Sequence, residues 1–156
     1  MSVDFFVETS FLFAAYRQES GSPAADDILA DIPPGGPLSP IVVFEFENAL
    51  SLHAGLFDRN RNHGLAAGIT KAIRADFRAD LDAGFWTVAP MDLPEVLMIA
   101  QKLSSTHTRA GLNRAMDILH VATALAWKTR KFLTFDVRQA RLARAAGLRT
   151  PLPLES

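Results

Sequence analysis

Apolar positions along the chain follow two rhythms. VDFFV near the start, FWTVA in the middle and FLTF toward the end are short, mainly apolar runs bounded by polar or turn residues, which read as buried strands. Longer segments with helical spacing lie between them. Thr9 and Ser10 stand as N-cap candidates for a first helix. A helix from about Ser22 to Ile32 is stopped by the breaker run Pro33, Pro34, Gly35, Gly36 and Pro37. Ser39 and Pro40 open another helix, which carries VFEFENALSLH to about Gly55. A longer one is expected from Asn60 to Ala83, with Gly84 as its stop. Asp92 to about Thr106 is helical in pattern, SSTHTRAGLNR is loop-like, and Asp117 to Trp127 is apolar nearly all round, as in a helix buried on several sides. A helix from Val137 to near Gly147 and an extended piece from Thr150 to Leu154, suited to a sheet edge or tail, complete the chain.

Short strands separated by helices predict an α/β fold, a mainly parallel sheet covered by helices on both faces, in a single domain over residues 1–156. In such sheets the ligand crevice lies beyond the carboxyl ends of the strands. Glu8 and Asp136 both end predicted strands, so both should point there.

Composition alters this little. With 49% hydrophobic and 21% charged residues the chain is an ordinary globular one. It has no cysteine, which excludes disulfides, thiolate nucleophiles and Cys-ligated zinc. No apolar run approaches the ~18 residues of a membrane span, and the first apolar stretch carries Asp4 and Glu8 without a basic flank, against a secretory signal. A cytoplasmic protein with no membrane partner is expected. The net charge of −1 gives no general attraction for nucleic acid. One segment differs. From Lys128 to Arg149 the only acid is Asp136, against Lys128, Arg130, Lys131, Arg138, Arg141, Arg144 and Arg149. This is either a solvated helix face or a phosphate- or acid-binding edge beside Asp136; composition leaves both open.

Four acids sit where apolar segments meet helices: Glu8, Glu45, Asp117 and Asp136. Each has a plain structural reading. Asp136 suits a helix N-cap, Asp117 a helix start, and Glu45, one turn before Asn48, a solvated face. Glu8 is the exception, because it lies between two apolar stretches and an unpaired buried carboxylate is expensive. His120, one turn beyond Asp117, reads as a hydrogen-bonded core residue. Gathered at one pole, the four acids would suit a hard divalent cation.

In order and spacing, FVETS, FEFENAL, MDILHVATAL and FLTFDVRQARLARAAGL resemble the PIN-domain ribonucleases, specifically the VapC-type toxins of toxin–antitoxin pairs. The resemblance covers almost the whole chain and implies a three-layer α/β/α sandwich. It also implies a Mg²⁺- or Mn²⁺-dependent site that hydrolyses RNA. Carried over, Glu8, Asp117, Asp136 and Glu45 would be the metal-binding and catalytic residues. Thr134, Thr9, Ser10 and Arg114 would support them, with Thr9 and Ser10 capping the first helix and Arg114 steadying the loop before Asp117. It further implies an RNA substrate, a cognate antitoxin and a homodimer. Phe5, Phe57 and Trp86 are hydrophobes that could join the antitoxin contact, although most such residues belong to the core.

Glu8 departs from the family, which usually places Asp there. The extra methylene moves the carboxylate by about 1.5 Å, and a misplacement near 1 Å can cost on the order of 100-fold in rate. The expectation is an attenuated nuclease; the alternative is a PIN-fold module that binds RNA or a protein without turnover. A receiver-like signalling domain would need paired acids after the first strand, which VDFFVETS lacks.

Overall fold

The structure, a computed structural model, describes residues 4–152. Strand β1 (Phe5–Val7) pairs in parallel with β4 (Lys131–Leu133), setting Phe6 opposite Phe132. Strand β2 (Gly36–Leu38) pairs in parallel with β3 (Trp86–Val88). The two ladders adjoin through β1 and β2. On one side, α1 (Thr9–Tyr16) packs against α2 (Ser22–Asp31) and α3 (Pro40–Arg59), and α3 against α4 (Ala67–Asp82). On the other, α7 (Ala115–Ala126) packs against α5 (Leu93–Leu103) and α8 (Val137–Ala145), while α6 (Arg109–Gly111) is a single short turn between α5 and α7. The result is the expected α/β/α sandwich with parallel strand pairing.

Its core is rich in aromatic rings. Phe6 stacks on Phe132 at 5.2 Å, and Phe46 meets Phe77 edge-on at 4.9 Å. Trp86 is buried and donates its indole N–H to the Tyr16 hydroxyl at 2.7 Å, which donates in turn to Asp80. This ties β3, α1 and α4 together, so Trp86 belongs to the core and not to a contact surface.

Several sequence expectations change. The breaker run does more than end α2, because its last residues become β2. Gly36 lies flat against the Trp86 ring, where a Cβ would come within 2.9 Å. The helix expected from Asn60 begins only at Ala67, while α3 runs past Gly55 to Arg59. Between them the chain turns at Gly64, whose φ is +72° and where a Cβ would lie 2.1 Å from the His53 carbonyl oxygen. The expected loop SSTHTRAGLNR is largely helical: a π-helical turn, Ser104–Thr108, leads into α6, which ends at Leu112 in the left-handed region (φ 51°). Thr9 and Ser10 are not caps. They are the first residues of α1, and the Glu8 side chain caps it by accepting from the Ser10 amide. The final extended piece falls partly at 153–154, outside the described residues; before it, Arg149 bridges to Lys131 as an edge.

Candidate metal centre

Glu8 is placed by the ladder itself. Its amide continues the β1–β4 pairing by donating to the Leu133 carbonyl at 3.1 Å, so the side chain leaves at the carboxyl end of β1. Oε2 accepts from the Ser10 amide (3.0 Å), the Ser10 hydroxyl (2.5 Å) and the Thr134 hydroxyl (2.9 Å). The residue is only 4% exposed. Burial raises its pKa, and the charge of His120 and the donors from Ser10 and Thr134 oppose that only in part.

Glu45 projects from α3, half-buried, and its Oε2 lies 3.1 Å from His120 Nε2. His120 is fully buried on α7, and its Nδ1 has no hydrogen-bond partner among the described residues. Because a carboxylate oxygen accepts, Nε2 is the donor in this contact. Burial would raise the Glu45 pKa, but the hydrogen bond and charge of His120, with Thr9 and Arg114, hold it below the ordinary value.

Asp117 lies in the first turn of α7. Its Oδ1 accepts from Gln139 Nε2 at 3.0 Å; its Oδ2 is buried, accepts no hydrogen bond, and lies 3.5 Å from the exposed Arg114 guanidinium. Asp136 caps α8, accepting from the Gln139 amide at 2.9 Å. Its own amide donates to Thr134 Oγ1 at 3.0 Å, and the Phe135 amide donates to Ser10 Oγ at 2.9 Å. Gln139 thus links Asp117 to Asp136, and Thr134 links Asp136 to Glu8.

One ligand atom from each of Glu8, Glu45 and His120 lies within 4.8 Å of the others. Asp117 and Asp136 stand outside that tightest group and join it through Gln139 and Thr134. Two residues of the site are not evident from the sequence. His120 is buried and hydrogen-bonded as expected, but its partner is a member of the cluster. Gln139 occupies the third position of α8 after Asp136, the spacing of a capping box, a signal that could have exposed it. Clustered carboxylates, with a buried Asp117 oxygen lacking a hydrogen-bond donor, fit a divalent cation.

The PIN domain family matches residues 5–145. No match was found among curated proteins. Among solved structures, VapC20 of Mycobacterium tuberculosis, described as a sarcin–ricin loop cleaving toxin, aligns with a TM-score of 0.66 and 21% identity, over 96% of this chain and 99% of that one. VapBC2 of Rickettsia felis, bound to a DNA fragment from its promoter, aligns with a TM-score of 0.62 and 14% identity, over 94% of this chain and 96% of that one. These likenesses concern the fold. By its family match over nearly its full length, the chain belongs to the PIN domain family.

Proposed function

We propose that this PIN domain is a Mg²⁺- or Mn²⁺-dependent ribonuclease, the toxin of a toxin–antitoxin pair, attenuated by glutamate at position 8. The observation that carries this is the convergence of Glu8, Glu45 and His120 past the carboxyl end of β1, with Asp117 Oδ2 buried and undonated on α7. The likeness to a toxin that cleaves the sarcin–ricin loop supports an RNA substrate, and that to a VapBC assembly supports an antitoxin partner. A homodimer is part of the same reading, as is a cytoplasmic site of action; no helix among the described residues is long and apolar enough to cross a membrane.

Glu8, Asp117, Asp136 and Glu45 would hold the cation, which when bound supplies a Lewis acid for the scissile phosphate. The rest of the chemistry belongs to the chain. Ser10 and Thr134 fix the Glu8 carboxylate from one side. Gln139 engages Asp117 Oδ1 and leaves Oδ2 for a ligand. His120 holds Glu45 Oε2, so the other oxygen of Glu45, kept ionised at neutral pH, would either ligate the cation directly or orient the attacking water and take up its proton. Arg114 stands where a phosphate oxygen could replace Asp117 as its partner.

One observation favours the alternative of a module without turnover: Glu8 Oε2 already accepts three hydrogen bonds as a helix cap, and burial disfavours its charge. Cleavage of a mixed RNA pool with Mn²⁺ or with EDTA, by the wild type, Glu8→Asp and Asp117→Asn, separates the two. The nuclease reading expects metal-dependent products that increase in Glu8→Asp and disappear in Asp117→Asn. Absence of products from both the wild type and Glu8→Asp would leave the binding module.

A further inference from the structure

A second concavity, about 390 Å³ in volume, lies between the segment joining α5 to α7 and the outer face of α8. That is within the range of small-molecule sites, roughly 300–1,000 Å³. One wall carries Arg138 and Arg141, one helical turn apart; the other carries His107 from the π-helical turn and Asn113. Leu142 and Ala145 add apolar surface between them.

Both arginines are exposed and make no hydrogen bond or ion pair with any described residue. Elsewhere the chain partners several of its cations. Arg74 and Arg78 share Glu47, and Arg130 and Lys131 share Asp4. The cavity walls are also next in sequence to residues of the metal centre: α8 begins at its cap Asp136, and Asn113 precedes Arg114 and Asp117. Segments with π-helical geometry and left-handed non-glycine residues often mark functional sites, and Ser104–Thr108 and Leu112 flank this cavity.

We propose that this cavity binds one nucleotide of single-stranded RNA flanking the scissile bond. Arg138 and Arg141 would engage its phosphate, a forked guanidinium being matched to phosphate oxygens. His107 and Asn113 would face the base or ribose, with the apolar surface against the base. The basic stretch near Asp136 then acquires a role that the net charge of −1 concealed. The choice of RNA rests on the ribonuclease reading; the alternative ligand of the same charge is an acidic peptide segment.

The test is binding of a short fluorescein-labelled single-stranded RNA by anisotropy, in EDTA across a salt series, so that no hydrolysis is required. Arg138→Gln with Arg141→Gln is expected to weaken binding about tenfold and to flatten the plot of log affinity against log salt by about 0.7 for each phosphate no longer engaged. Ala145→Phe, at an exposed position, should weaken binding by filling the cavity while leaving the slope unchanged. Arg130→Gln, at the opposite pole, should change neither. Unchanged affinity and slope in the double variant would overturn the inference. So would intact RNA binding with abolished binding of a labelled polyglutamate peptide, which would make the cavity a peptide site. If RNA binding behaves as expected but no metal-dependent cleavage occurs, the cavity stands and the nuclease reading falls.

Discussion

Asp4 and Glu8 are four residues apart, at opposite ends of β1, and the chain treats them in opposite ways. Asp4 is partly exposed, pairs with Arg130 at 2.7 Å and Lys131 at 2.9 Å, and has its pKa lowered by both. Glu8 is buried, is clustered with His120 rather than with a lysine or arginine, and has its pKa raised by burial. The amino-terminal pole of the strands is therefore neutralised by the protein's own cations. At the carboxyl-terminal pole the carboxylates are held by hydroxyls, amides, an imidazole and one exposed arginine. Buried carboxylates so lightly compensated are ones that a bound cation would stabilise.

The largest expected break in this contrast comes from Asp117→Asn. Loss of a partner that merely orients a ligand costs about 10–100-fold, so loss of a ligand should lower metal-dependent RNA cleavage by at least about 100-fold. His120→Asn should follow, with a fall of about 10–100-fold in cleavage and a loss of about 1–2 kcal/mol in metal-free stability as the buried pairing with Glu45 goes. RNA affinity in EDTA should be unchanged, which distinguishes positioning from substrate binding. Glu8→Gln should act in the opposite direction on stability. Because the folded state raises the Glu8 pKa, it favours the proton, and the wild type loses stability relative to the variant as pH rises above the ordinary glutamate value of 4.5. Metal-free melts at neutral pH should show a higher melting temperature for Glu8→Gln, on the scale of about 2–4 °C for each kcal/mol of relieved desolvation. The gap should close in acid, where Glu8 is protonated in both the folded and the unfolded chain. Asp4→Asn should do least, leaving cleavage unchanged and shifting melting only marginally, since its ion pairs are exposed and salt-screened.

The parallel α/β architecture was legible because its strands are short apolar runs and its helices keep their spacing. β2 was not, because a strand beginning Gly36–Pro37 has no strand propensity and is defined by packing on Trp86, which sequence pattern does not record. The acids were legible from their contexts at strand ends and helix starts. The role of Glu8 as a helix cap was not, because glutamate is not among the preferred capping residues. His120 lies 75 positions from Glu45, and only the fold, which brings one side chain of α3 and one of α7 together at the end of the strands, reveals the pair. The segment before Asp117 has the pattern of a loop because Ser, Thr, Gly and Asn make up about half of it, yet it carries a π-helical turn beside the cavity at α8.

Whether the buried carboxylates hold a divalent cation can be read from melting of the wild type and Glu8→Gln across a Mn²⁺ titration. Mn²⁺ should raise the wild-type melting temperature progressively, as expected for a ligand of the native state, and erase the metal-free advantage of Glu8→Gln, which should respond weakly. Equal shifts in the two proteins, or none in the wild type, would contradict a cation site at these carboxylates.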